Sequence, residues 1–273
     1  MILAFDVGNT ETTVALFEGE RERAHWRLVT DAKRTQDELG ALLHSLVVGS
    51  GIELRAIEGA ALASVVPAVT APITAAAKRW LGVEPLVIDA RSPLPIALEV
   101  DEPMTVGADR IANTLAAKEL IGGDVVVVDL GTATTFDCVT KDGAFIGGAI
   151  SPGIRTAADM LTLKTAKLPA TELVAPKRAI GTRTEECIQA GVVLYNADAI
   201  DGMVARVRAE WPGGRRPTCV ATGGLAHMFQ PLCRSFERVE PLLTLHGIRL
   251  AYGYMAGATK PSSTARPSGR KRK

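Results

Sequence analysis

The chain has 273 residues, 47% hydrophobic and 22% charged, enough for two ordinary domains with a substantial core. Only 4% is aromatic, so Ala, Val, Leu and Ile carry the apolar load, which suits packed helix–sheet layers better than a surface for stacking bases. The net charge of +1 hides a split: residues 258–273 hold six Lys or Arg and no acid, leaving 25 basic against 30 acidic residues before them, which argues against a nucleic-acid binder.

Ile2 to Val7 is apolar and β-prone and is broken by Gly8-Asn9-Thr10. Thr12 to Phe17 and Arg23 to Val29 follow as strands around a Gly19-Glu20 turn. Asp37 to Val48 has helical spacing, with Leu39, Leu42, Leu43 and Leu46 on one face. Ala60 to Val66 reads as a short buried strand, Ala71 to Leu81 as a helix, Pro85 to Ile88 as a strand and Val106 to Leu120 as a helix. The pattern then restarts. Val125 to Leu130 is a β-branched run broken by Gly131-Thr132, Thr134 to Val139 continues as a strand, and Asp142-Gly143 signals a hairpin into Ala144 to Ile150. Helices are predicted from Pro152-Gly153 to about Leu163, over Thr184 to Glu210 and from Ile248 to Ala256, with a strand at Thr218 to Ala221.

Each half thus opens with strand, Asp-x-Gly turn, strand, hairpin and strand before its helices, the order of a duplicated unit. Domains are expected at 1–118 and 119–257, followed by a disordered basic tail at 258–273, where Pro, Ser, Lys and Arg replace any apolar period. Cys138, Cys187, Cys219 and Cys233 form no Cys-x-x-Cys pair and are expected to be buried free thiols rather than zinc ligands. With no basic leader and no apolar run of about 18 residues, the chain is read as cytoplasmic, without a membrane partner.

The two turns carry the chemistry. A strand ending in Asp-x-Gly places a carboxylate at its tip, and the glycine then lets backbone N–H groups approach an anion. Asp6 is suited to orient hydrated Mg²⁺ on phosphates, while Asn9, Thr10, Thr12 and Thr13 add polar contacts. Asp129, Gly131, Thr132 and Thr134 repeat that set, so two facing hairpins would wrap a polyphosphate. Asp, Gly and Asn are also the commonest residues of a plain β-turn, but two such turns at equivalent places favour phosphate. No P-loop and no Rossmann fingerprint is present. Gly223-Gly224 fits an adenosine-side loop or a simple helix-entry turn. In Gly107-Ala108-Asp109-Arg110, at a helix start, Asp109 is a candidate proton acceptor and Arg110 a carboxylate or carbonyl ligand. A helix-end charge with a surface ion pair would leave the same spacing.

Taken together, Asp6-Val7-Gly8-Asn9-Thr10, Gly107-Ala108-Asp109-Arg110, Asp129-Leu130-Gly131-Thr132-Ala133-Thr134, Gly147-Gly148-Ala149-Ile150-Ser151-Pro152-Gly153, Thr165-Ala166-Lys167-Leu168-Pro169 and Thr222-Gly223-Gly224 resemble the type III pantothenate kinases, in the superfamily of acetate and sugar kinases, Hsp70 and actin. The resemblance spans residues 1 to about 257. It implies an α/β fold of two duplicated ribonuclease-H-like (actin-like ATPase) domains, each a mixed sheet flanked by helices, with a cleft between them. It implies ATP-dependent phosphorylation of pantothenate to 4'-phosphopantothenate, the first step towards coenzyme A. Asp6, Val7, Gly8, Asn9, Thr10, Glu11, Thr12, Thr13 and Thr132 would contact ATP. Gly107, Ala108, Asp109 and Arg110 would contact pantothenate, with Asp109 as general base. Asp129 would ligate K⁺ or NH₄⁺, and Thr184 would reach pantothenate across a homodimer interface. One departure stands out: Val100 and Glu102 occupy positions where the family usually has Tyr and then Asn or Asp. That keeps open a kinase of the same fold acting on a sugar or another alcohol. An accessory regulator of this fold is a further alternative, although Asp6, Asp109, Arg110 and Asp129 are all present.

Overall fold

The computed structural model describes residues 1–257, so the tail predicted at 258–273 lies outside the described residues. Strand β1 (Ile2–Val7) is central in the first sheet because both of its faces are apolar and buried. It pairs antiparallel with β2 (Glu11–Glu18), which pairs with β3 (Arg21–Val29). On its other side it runs parallel to β4 (Gly59–Ser64), followed by β5 (Pro85–Val87). A short strand, β6 (Ala97–Leu98), then leaves the first half and adds to the edge of the second sheet.

The second sheet repeats the plan. Strand β7 (Val125–Leu130) pairs antiparallel with β8 (Ala133–Val139), which pairs with β9 (Ala144–Pro152). On its far side lie β10 (Thr218–Thr222) and β11 (Arg238–Val239), both parallel to it. The orders β3-β2-β1-β4-β5 and β9-β8-β7-β10-β11 are the same, so the duplication expected from the two turns extends to the topology.

Helix α1 (Gln36–Gly49) starts where the Thr35 hydroxyl accepts the Glu38 N–H at 3.3 Å and Glu38 accepts the Thr35 N–H at 2.7 Å. With α2 (Pro67–Ala76) it covers the outer face of the first sheet, where Leu39, Leu43, Val69 and Ile73 meet Leu3 and Phe5. Helices α4 (Ile154–Lys164), α5 (Thr184–Gln189), α6 (Tyr195–Glu210) and α7 (Ala226–Phe229) cover the outer face of the second. The two inner faces share one layer, formed by α3 (Ala108–Ala116) and α8 (Leu243–Met255). Ile111, Ala112, Leu115, Leu245 and Ile248 pack on Ala4 and Ala61 of the first sheet, while Ala116 and Leu243 pack on Val125, Val127 and Val220 of the second. The helices touch closely at Gly247, where a Cβ would stand 2.0 Å from the Ala112 carbonyl oxygen.

Several boundaries differ from the sequence reading. Helix α2 begins at Pro67, because proline suits the first helical position and Pro72 is tolerated further in. Helix α8 begins at Leu243 rather than Ile248, and β4 stops at Ser64. The helix expected over Thr184 to Glu210 is continuous but contains a wider turn at Ala190–Leu194. Three cysteines are buried, their thiols pushed up to about 12 by burial, whereas Cys187 is exposed on α5 and corrects the expectation of four buried thiols. Among the described residues no helix is long and apolar enough to cross a membrane.

Candidate active site

The period-2 alternation of the strands decides which side chains enter the cleft. In β1, Leu3, Phe5 and Val7 face the outer helices, so Ala4 and Asp6 face α3. In β7, Val126, Val128 and Leu130 face outward, so Val125, Val127 and Asp129 face inward. Phe136 and Cys138 of β8 face outward too, which turns Thr135 and Asp137 inward. Asp6 and Asp129 occupy equivalent positions in the two sheets: Asp6 is opposite Thr13 and Ala63, Asp129 opposite Thr135 and Thr222.

The turns beyond them meet across the cleft. The Thr132 and Thr10 hydroxyls lie 3.0 Å apart, joining the two halves. In the first turn the Gly8 N–H donates to the Glu11 carbonyl at 3.0 Å, and in the second the Gly131 N–H donates to the Ala133 carbonyl at 3.1 Å. The second turn is one residue shorter. The first is braced from β3's end: the Thr30 hydroxyl donates to the Gly8 carbonyl at 2.7 Å and lies 2.8 Å from the Thr12 hydroxyl. Thr12 is therefore buried and spent on its neighbour, and Val7 belongs to the core, while Asn9, Thr10, Glu11 and Thr132 are exposed at the cleft.

Helix α3 starts at the same place. Its cap is Gly107, and the Arg110 N–H donates to Asp109 Oδ1 at 2.8 Å. Burial raises the Asp109 carboxyl above its ordinary value, against the lowering effect of that hydrogen bond and of the Arg110 charge. Asp6 is raised well above its usual range by burial, then by the nearby Asp129 and Asp109 charges. Asp129 is pushed up to about 7 by burial and by Asp137, with the Asn113 amide opposing. Asp137, fully buried, is raised to about 6 by burial, against the Arg110 guanidinium.

Carboxylates that raise one another in this way are what a cation relieves. Beside Asp129, the Thr222 hydroxyl is buried and has no hydrogen-bond partner among the described residues, a second hard oxygen on the neighbouring strand. Among the described residues no group of three or more potential ligands forms a ready-made metal cage. Mg²⁺ takes one or two carboxylates and completes its shell with water and phosphate oxygens, so Asp6 or Asp129 could supply its protein oxygens.

Beside Arg110 lies a cavity of about 400 Å³, lined by Val100, Glu102, Thr105 and Val106 from the connection before α3 and by Phe145, Gly147 and Gly148 from β9. A β-bulge shapes its wall. The register slips between Asp137 and Val139, and Gly147 absorbs it at φ +116°. Gly148 then lies so near β8 that a Cβ would meet the Phe136 carbonyl at 1.7 Å and Arg110 Nη2 at 2.9 Å.

The fold brings together Asp6, the two turns, Thr132, Gly107, Ala108, Asp109, Arg110 and Asp129. Thr184 stands apart, exposed at the first turn of α5. The segment leading to it is tied up by Glu186, which accepts from the Thr182 N–H at 2.9 Å and the Thr182 hydroxyl at 3.1 Å. Sequence reasoning missed Asp137, Asn113 and Thr244. Only Asp137 carried a signal, as an acid inside the otherwise apolar run ending β8.

The family model described as type III pantothenate kinase matches residues 2–206. The chain belongs to the type III pantothenate kinase family. A type III pantothenate kinase of Moorella thermoacetica is 44% identical over 252 residues, covering 92% of this chain and 98% of the relative. Another, from Thermomicrobium roseum, is 45% identical over 255 residues, covering 93% and 98%. Solved structures agree in fold. A Campylobacter jejuni protein described as a Baf family transcriptional activator aligns at TM-score 0.58 and 17% identity, covering 93% of this chain and 99% of that one. The activator of 2-hydroxyisocaproyl-CoA dehydratase from Clostridium difficile, with bound ADPNP, aligns at 0.54 and 10% identity, covering 96% and 99%. The architecture is α/β, two mixed sheets of the same strand order flanked by helices.

Proposed function

We propose that this pantothenate kinase family member transfers the γ-phosphoryl group of ATP to the primary hydroxyl of pantothenate in the cytoplasm, giving 4'-phosphopantothenate for coenzyme A synthesis. The observation that carries the reading is the convergence of two Asp-tipped turns, linked through Thr10 and Thr132, on the Asp109-Arg110 start of α3 beside a cavity. The phosphates lie over residues 6–13 and Thr132, where the side chains of Asn9, Thr10, Glu11 and Thr132 are exposed at the cleft. Asp6 would hold Mg²⁺ and Asp129 would hold K⁺ or NH₄⁺; when bound, such cations would neutralise charge on the transferring phosphoryl group.

Asp109 takes the proton of the pantothenate hydroxyl as its oxygen bonds to the γ-phosphorus and the bond to the β-phosphate oxygen breaks, releasing ADP. A carboxylate raised by burial is the stronger base for that step. Gly107, Ala108 and Arg110 orient the acceptor, so much of the rate comes from positioning and charge stabilisation. Thr184 completes the pocket of the opposite subunit in a homodimer, which accords with its exposure and its distance in the chain from α3.

Val100 lines the cavity where the family usually carries Tyr, which favours testing other alcohols too. A coupled assay of ADP release with pantothenate and a panel of sugars, in K⁺ against Na⁺, tests the proposal. Turnover with pantothenate that requires K⁺ is expected. Turnover of a sugar but not pantothenate would replace the acceptor, and no turnover of either would favour a regulatory role.

A further inference from the structure

We propose that Asp137 is a positioning residue of the acceptor site, holding Arg110 in the wall of the substrate cavity and tying it through Asn113 to Asp129. The inference rests on the reading of Arg110 as a pantothenate contact. Asp137 Oδ1 accepts from Arg110 Nε at 2.6 Å, with the side chains 0% and 16% exposed. The guanidinium carbon also lies 4.8 Å from the centre of the Phe145 ring. Among the described residues only Nε finds a hydrogen-bond partner; Nη2 is buried without one, beside Gly148 in the cavity wall. A structural ion pair in a low-dielectric place satisfies its donors, because an orphaned one is costly. Here the carboxylate fixes the inner nitrogen, and the guanidinium it holds lines the cavity.

The link to Asp129 runs through one amide. Asn113 Nδ2 lies 3.3 Å from Asp129 Oδ2 and 3.4 Å from Asp137 Oδ2, and Asn113 Oδ1 accepts from the Thr244 hydroxyl at 2.8 Å. Flipping the amide would set its oxygen against both carboxylates, so its orientation is determined. The acceptor-side and cation-side carboxylates thus share one donor on α3, itself pinned by α8.

The test compares steady-state constants for Asp137→Asn, Arg110→Gln and the double variant, with pantothenate dissociation constants from calorimetry where turnover is too slow. Asp137→Asn should raise KM for pantothenate about tenfold or more while KM for ATP stays within about twofold. In the Arg110→Gln background the same change should add no more than about twofold, since the group it holds is gone. An unmoved pantothenate constant, or effects that multiply, would overturn the proposal. If Asp137→Asn alone does not fold, Arg110→Gln and the double variant, which exchanges the ion pair for a neutral one, decide in the same way. Equal pantothenate constants support the inference, and a further rise defeats it. A wild-type chain that binds no pantothenate overturns both this inference and the reading beneath it. An active wild type with unmoved constants in Asp137→Asn overturns the inference alone.

Discussion

Asp109 is a carboxylate that burial has made more basic and that the Arg110 backbone N–H helps to orient. Replacing it with alanine should lower kcat by about 10²–10⁴-fold with ATP affinity nearly unchanged, measured by steady-state kinetics and nucleotide titration. Near-wild-type turnover would remove it from the role of base. Asp137 makes a different prediction. Burial holds its carboxyl near 6, against an ordinary value of 3.8, so the native state binds that proton more tightly than the unfolded chain does. The stability it contributes is present at low pH and lost as pH rises from about 4 through 6. Asp6, Asp109 and Asp129 are raised too and act with the same sign. In cation-free buffer the thermal midpoint should therefore fall between pH 5 and pH 7, and Asp137→Asn should flatten that slope. Asp6, Asp109 and Asp129 were legible as site residues because each sits in a turn or helix-start motif. Asn113 and Thr244 were not, because nothing local distinguishes a buried amide or hydroxyl on a helix from a solvated one.

At the scale of elements, most strands and helices were legible because their apolar period is clear and their ends carry Gly, Pro or Thr. Strands β6 and β11 were not: Ala97–Leu98 and Arg238–Val239 are too short to show alternation and owe their state to the sheet edges they join. The Pro67 start of α2 was hidden because proline reads equally as a strand stop. The contact of α8 with α3 was also invisible, since a helical glycine lowers propensity without naming its neighbour. At Gly247 a methyl group meets backbone that no rotamer change can move, so Gly247→Ala should destabilise the protein by at least ~1–3 kcal/mol despite alanine's better helix propensity. Chemical denaturation would measure it, and a neutral or stabilising result would show that the helices separate readily.

For the whole molecule, we propose units 1–118 and 119–257, with α8 of the second seated on the sheet of the first. A homodimer with Thr184 acting in trans predicts a definite complementation. Asp109→Ala and Thr184→Tyr proteins, each nearly inactive, should on unfolding and remixing regain about a quarter of wild-type activity, because each mixed dimer restores one intact site. Recovery of nothing would put Thr184 back in its own subunit or outside the site. The shared layer has a further consequence, for unfolding. Helix α8 covers Ala4 and Ala61 on one sheet and, through Leu243, reaches Val125 and Val220 on the other. Loosening that one helix uncovers apolar surface in both halves at once, so the two should lose their structure in a single cooperative transition rather than one after the other.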